Sequence, residues 1–320
     1  MNPATQLHAL LDAGQALSPT YGGGLSSHLP MAQQALLQLG APAERLRAWS
    51  AHYAARLAAR PAVTAARELG RPDSDAAWHA HFTARIAATG AEATLRDALP
   101  TLLDGAGGAA FHGLIRTGHA VLAGHAGELA AGLAHWAAHF LPLPTEADDP
   151  PLPLADWLAA LGRLPPPGTL AGSSITGRMR AWGAAPGFAA VAGRLHQQPD
   201  TLRELALLAA RSYAATANFT VLHLLTACHA MSVLAPEPPR GFIAAAAAGL
   251  LASGATPALT LDAAPGRPWP ALTAAACAQD DAHVIKLTHA AWRLDQRWPD
   301  PAWRRAAERG LCSTAAHANP

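Results

Sequence analysis

The chain has 320 residues, 51% of them hydrophobic and 14% charged, and a net charge of +1 with its histidines neutral. That is enough apolar material for one large core, and it excludes a disordered or low-complexity chain. The arginines are scattered rather than gathered into a stripe, which excludes an ordinary nucleic-acid footprint.

The N-terminus shows no basic stretch followed by an apolar run, because Asp12 and Gly14 interrupt it, and the most apolar run, Phe242 to Ala252, is too short to span a bilayer. The expectation is a cytoplasmic protein with neither membrane nor nucleic acid as partner. Three cysteines without CxxC spacing fit a reduced interior; Cys228 and Cys277 read as small core residues.

Helical punctuation dominates, and period-2 alternation is nearly absent. Pro30 opens a helix that stops at Gly40, and Pro42 opens another with Leu46, Trp49, Tyr53 and Leu57 along one face. Asp73 or Ser74 caps a helix carrying Trp78, Phe82 and Ile86 that ends at Gly90. Helices are predicted over 91–103, 109–123 and 126–140. The proline-rich stretch 141–168 reads as loop with one short helical turn around Trp157. Thr201-Leu202-Arg203-Glu204 reads as a capping box that opens a helix to about 215, followed by one over 217–234. Pro236, Pro238 and Pro239 break the chain before an alanine-rich helix to about Ala252. A second Pro/Gly loop covers 262–270, one long helix is expected over 271–296, and Asp300-Pro301 caps a last helix to about Gly310. No repeat period appears. The fold class is all-α: a single multi-helix domain over 1–320 around a buried, histidine-lined site.

Two compositional facts point to chemistry. One lysine, Lys286, stands among 22 arginines, and the chain has 16 histidines. Arginine keeps its charge, whereas a buried lysine sheds its proton and can then act as a base, a Schiff-base amine or, after CO₂ uptake, a carbamate. The plain alternative is a lysine left by chance in an arginine-biased chain. His283 and Lys286 are three apart, so their side chains lie about 60° apart around a helix axis. Asp280 lies one turn before and His289 one turn after, a spacing similar to the Glu-x-x-His of helical di-metal sites. The alternative is an exposed polar face, against which Val284, Ile285 and Leu287 make the segment apolar on most sides.

His112, Arg116 and His119 share one helical face, and Gly113 leaves room beside His112 for a backbone or a ligand. Arg116 and His119 are therefore the candidates for catalytic contacts. His223, flanked by leucines, is a metal-ligand candidate, and His229, about 120° away around the helix, a packing or ligand-supporting residue. Gly22-Gly23-Gly24 ahead of His28 is a weak phosphate-binding signal, with no strand context and no GK[ST]. His8, His52, His79, His81, His125, His135, His139, His196 and His317 read as surface or ordinary core residues. No closed zinc motif such as HExxH or CxxC is present.

Four segments taken together resemble the questin oxidase-like family. They are Tyr21-Gly22-Gly23 through Ser27-His28-Leu29-Pro30-Met31-Ala32 with Leu36 to Ala41; Ala110-Phe111-His112-Gly113-Leu114-Ile115-Arg116; Asn218-Phe219-Thr220-Val221-Leu222-His223-Leu224-Leu225-Thr226; and Asp281-Ala282-His283-Val284-Ile285-Lys286-Leu287. The resemblance implies a helical oxygenase, hence an oxidoreductase, acting on polyketide aromatics such as anthraquinones. The reaction opens a ring with O₂ and is formally like a Baeyer–Villiger oxidation. It also implies a mononuclear non-haem iron held by histidines and a carboxylated lysine. Carried over position by position, the ligands are His28, His112, His223, His283 and Lys286. The partners implied are O₂ and a small aromatic substrate; a need for NADPH and the oligomeric state stay open. The chain is shorter than fungal relatives, and it carries Met31 where they tend to have a second histidine and Ser27 where they have asparagine.

From the residues alone, imidazoles with one hard anionic oxygen suit Fe(II), and less decisively Mn(II) or Zn(II). Burial would leave Lys286 neutral and able to capture CO₂ as that anion. Arg116 either orients an anionic substrate oxygen or pairs with Asp280 or Asp281. Two other functions stand beside the oxygenase. A metal-dependent hydrolase would use the same lysine and histidines to activate water, although the chain lacks the βα alternation usual for such enzymes. A non-catalytic protein would use its buried histidines to hold a ligand, a metal or only the fold.

Overall fold

A computed structural model describes residues 2–146, 150–168, 174–261 and 266–317. The sixteen α-helices among them are α1 (Pro3–Gly14), α2 (Leu29–Gln38), α3 (Ala43–Ala54), α4 (Asp75–Thr89), α5 (Ala91–Leu103), α6 (His112–Ala123), α7 (Ala126–Ala138), α8 (Leu154–Gly162), α9 (Ile175–Gly183), α10 (Phe188–Ala192), α11 (Thr201–Thr216), α12 (Phe219–Leu234), α13 (Arg240–Ser253), α14 (Trp269–Cys277), α15 (Ala282–Arg297) and α16 (Pro301–His317). The expected all-α class is what the chain adopts. Among the described residues, the only named strands are Thr20–Tyr21 (β1) and Leu25–Ser26 (β2), and no helix is long and apolar enough to cross a membrane.

Four helices make the centre. α2 packs on α6, α6 on α12, α12 on α15, and α15 back on α2, closing a ring. α12 is apolar on every side, as a helix surrounded by others must be, and it also carries α11 and α13 on its outer face. α7 backs α6 and is itself covered by α4, and α16 backs α11 and α15. Glycines set the closest approaches: a Cβ at Gly113 of α6 would lie 2.4 Å from Trp136 Cα of α7, and one at Gly118 would lie 3.0 Å from Ala230 Cα of α12.

The triple glycine turns the β1–β2 hairpin, with φ of 54°, 81° and 113° at Gly22, Gly23 and Gly24, a conformation that favours glycine. This is the role of the motif here, in place of a phosphate cradle. The hairpin is tied down where the Ser26 hydroxyl meets His135 Nε2 at 2.9 Å. It delivers Ser27 and His28 into the interior at the start of α2.

Several boundaries differ from the sequence reading. The helix expected over 271–296 is two, because Asp281 caps a new start: its side chain accepts from the His283 backbone N–H at 2.7 Å. The helix expected from 109 begins at His112, after Ala109, Ala110 and Phe111, which all lie in the left-handed region. The capping box at Thr201 does not form. Asp200 is the cap residue, and the Thr201 hydroxyl instead accepts from Gln198 N–H and donates to the His196 carbonyl. Leu57 falls beyond the end of α3. The loop 141–168 holds the nine-residue α8, which buries Trp157 completely, rather than a single turn. Residues 147–149 of that loop and 262–265 of the second one lie outside the described residues. Helices α1, α9 and α10 had no counterpart in the sequence reading. Cys228 is buried as expected, whereas Cys277 is only partly buried and Cys312 is exposed.

Candidate metal centre

Each helix of the central ring contributes one imidazole to a single cluster. His28 and His112 stack with centroids 4.8 Å apart and their Nε2 atoms 2.8 Å from each other. His112 meets His223 edge-on at 4.9 Å, His223 meets His283 at 5.4 Å, and His283 closes the square on His28 at 4.4 Å. Donor atoms of His28, His112 and His283 all lie within 4.8 Å of one another, close enough to hold one metal ion.

The protons on these rings are placed by their partners. His112 Nδ1 points at the Ala109 carbonyl, and His223 Nδ1 donates to the Phe219 carbonyl at 2.7 Å. His283 Nδ1 lies 3.2 Å from the Asp281 carboxylate. Carbonyl and carboxylate oxygens only accept, so Nδ1 carries the proton in all three and Nε2 keeps a lone pair. That is how ligating histidines are usually oriented. His28 must then donate from Nε2 to His112 Nε2, and its own backbone N–H donates to the Tyr53 hydroxyl at 3.0 Å.

Lys286 lies one turn beyond His283, 1% exposed, and its Nζ has no hydrogen-bond partner among the described residues. Burial pushes its pKa down to about 7, with Asp281 the charge that opposes the fall. Burial also holds His28, His112 and His223 well below the usual histidine value, and a charged Lys286 would lower them further. His283 is lowered by burial too, with Asp281 acting the other way. The imidazoles therefore favour their neutral, electron-donating forms, and Lys286 is brought to where its neutral amine is readily populated near pH 7.

The cluster sits at the N-terminal ends of its helices. His28 is the cap residue of α2, His112 the first residue of α6, His283 the second of α15 and His223 the fifth of α12. Four partial positive helix ends converge there, an arrangement that favours an anionic group among the imidazoles.

Of the site residues expected from sequence, the structure brings His28, His112, His223 and His283 together, with Lys286 buried beside them. Arg116 and His119 are elsewhere. The Arg116 guanidinium forms a buried two-pronged pair with Glu128 of α7. The expected pairing with Asp280 or Asp281 is not made: Asp280 pairs with Arg45 at 2.9 Å, and Asp281 holds His283. His119 is seven residues past His112, roughly 10 Å along the helix, where it meets His229 and His289. Asp281 as the partner of His283 was missed, although its place two residues before that histidine was the available signal. Phe219 belongs to the third segment that carries the family resemblance, where nothing in the sequence assigns it a role of its own. Its ring lies 4.7 Å from both His223 and His283 while 52% of the residue is exposed, so it borders both the cluster and solvent.

Fold and site together define a class: an all-α protein whose central helices bring four histidines and a buried lysine together, three of the histidines, His28, His112 and His283, being close enough to share a metal ion. The family model described as Questin oxidase-like matches residues 25–291, a span that contains every residue of the cluster. The chain belongs to the questin oxidase-like family. No curated protein matches it. Membership implies an oxygenase, an oxidoreductase that takes O₂ and a small-molecule substrate.

Proposed function

We propose that this protein is a non-haem iron oxygenase that uses O₂ to oxidise or ring-open an aromatic, quinone-type substrate. His28, His112, His223, His283 and a carboxylated Lys286 would hold the iron. The observation that carries this reading is the buried, unpartnered Lys286 amine beside four mutually packed imidazoles. Neutral imidazoles and one hard oxygen anion suit Fe(II). Carbamate formation would supply that anion from the amine that has no partner, at the spot where four helix ends favour negative charge.

When bound, the iron supplies the electron-transfer chemistry that ground-state O₂ needs to react with a closed-shell aromatic. The remaining roles belong to the chain. The Nδ1 tethers of His112, His223 and His283 keep the three Nε2 atoms aimed inward without rearrangement. The Nε2 proton that His28 gives to His112 must move to its own Nδ1 before both nitrogens can face one ion, so metal uptake requires His28 to change tautomer. Phe219 offers an aromatic edge against which a planar substrate can rest at the cluster. The helix N-termini favour binding of the substrate through a phenolate or keto oxygen.

The test is iron content, counted separately from other metals, in untagged protein purified without chelator and reconstituted with Fe(II) under reducing conditions. Wild type is expected to hold one iron per chain and to consume O₂ with hydroxylated quinones; Lys286→Ala is expected to lose both. Bicarbonate labelled with ¹³C should give a carbamate carbon signal in wild type alone. A wild type that takes up no iron would overturn this reading and leave a non-catalytic binding protein.

A further inference from the structure

The same four helices carry a second layer of polar residues one to two turns further on. His119 of α6, His229 of α12 and His289 of α15 are 4%, 3% and 0% exposed, and one donor atom from each lies within 4.8 Å of the others. Their rings meet with centroids 5.1 to 6.1 Å apart. The fourth helix, α2, contributes glutamines. Gln34 Oε1 accepts from His119 Nδ1 at 2.6 Å, and Gln38 Oε1, one turn on, accepts from His289 Nε2 at 2.8 Å. Each amide oxygen pins the proton to one ring nitrogen and frees the other as a lone pair: Nε2 of His119 and Nδ1 of His289. His289 Nδ1 is fully buried and has no hydrogen-bond partner among the described residues. A buried lone pair of this kind calls for a partner. Residues that fix the tautomer of a ring from behind, with its lone pair aimed at a shared point, are what metal-binding histidines require.

We infer that His119, His229 and His289 form a second metal site, separate from the first cluster, for a borderline divalent ion of the zinc type. Three imidazoles and no carboxylate favour such an ion over magnesium or calcium. His229 also lines a cleft of about 300 Å³ together with Ser232, Val233, Arg293, Gln296 and Arg297, a route by which an ion and a fourth, exogenous ligand could reach the three imidazoles. With two arginines there, the fourth ligand is hydroxide or another small anion, which balances the charge that three neutral imidazoles leave uncompensated. The inference does not depend on iron in the first cluster.

The experiment uses Zn(II) and Co(II) as probes on the full chain, with metal counted by elemental mass spectrometry and folding followed by circular dichroism. His112→Leu/His283→Leu, which dismantles the first cluster, is expected to keep one zinc per chain and to give the intense visible bands of four-coordinate Co(II). His119→Leu/His289→Leu is expected to lose that ion and those bands while first-cluster metal is retained. Gln34→Leu/Gln38→Leu, which leaves every ligand in place, should weaken zinc binding by about 10- to 100-fold. A folded first-cluster variant that binds no zinc overturns the second site. Should that variant fail to fold, equal zinc and cobalt content in wild type and in His119→Leu/His289→Leu overturns it instead. Loss of iron from wild type with this zinc retained would remove only the oxygenase reading.

Discussion

Keeping an amine buried at Lys286 costs folding energy, and the cost depends on pH in a way that can be read. Its pKa falls from an ordinary 10.5 to about 7, which makes charging it in the metal-free fold unfavourable by about 5 kcal/mol. The unfolded chain binds that proton more readily than the folded one, so the penalty is complete below about pH 7 and fades as pH rises toward 10. Metal-free, CO₂-free wild type should therefore gain stability relative to Lys286→Met on going from pH 7 to 9, with Lys286→Met the more stable of the two at pH 7 by up to about 4 kcal/mol. Urea unfolding at a series of pH values measures this. Equal stability at all pH values would mean that the amine reaches water or an anion. The lone lysine of an arginine-rich chain was visible as a candidate at once, because lysine alone of the two can be neutral. Its lack of a partner was not visible, since that depends on what three other helices place around it.

At the scale of the element, α6 begins under strain. Ala109, Ala110 and Phe111 have φ of 48°, 54° and 68°, each in the left-handed region, at about 1 to 2 kcal/mol per residue for a side chain bearing a Cβ. The distortion ends at His112, whose Nδ1 is tethered back to Ala109, so the strained turn and the tether together set the ring. Ala110→Gly should relieve strain and raise the melting temperature, by up to about 1 kcal/mol of stability. It should also loosen the first turn of α6 and lower metal retention. A glycine variant that melts lower would show that the φ values are not a source of strain. Nothing in Gly107-Gly108-Ala109-Ala110 announced three left-handed residues, and the sequence reading ran the helix through them. The split between α14 and α15 was hidden for a related reason. Arg45 binds the carbonyls of Cys277 and Gln279 and the side chain of Asp280, and Trp49 donates to the Asp280 carbonyl. Those contacts come from α3, more than 200 residues away in sequence, and they hold open a break that local helix-forming residues do not predict. Where punctuation was local, as at Pro30, Gly90 and Asp300, the boundaries were legible.

At the scale of the molecule, the two clusters explain the arrangement of the ring. His28, His112, His223 and His283 come before Gln34, Gln38, His119, His229 and His289 on α2, α6, α12 and α15 alike, so all four helices run the same way from the first layer to the second. Neighbouring parallel helices cannot be joined by short turns, and α3–α5, α7–α11 and α13–α14 are the excursions that bring the chain back each time. Both layers therefore bind together segments far apart in sequence, and ions held there must add to the stability of the whole fold. At about 100 times its dissociation constant, a bound ion contributes ~2.7 kcal/mol, roughly a 5 °C rise in melting temperature for a chain of this size. Metal-loaded wild type treated with a chelator is expected to melt lower by that amount for each ion lost, still in one transition, because α6, α12 and α15 supply ligands to both layers. His119→Leu/His289→Leu should show only the drop due to the first cluster, and ¹³C-carbamate signal should disappear in step with first-cluster metal. Calorimetry with and without chelator checks this. Two separate transitions, or a melting temperature indifferent to metal, would mean that the histidines are not joined to the cooperative core in the way their shared helices require.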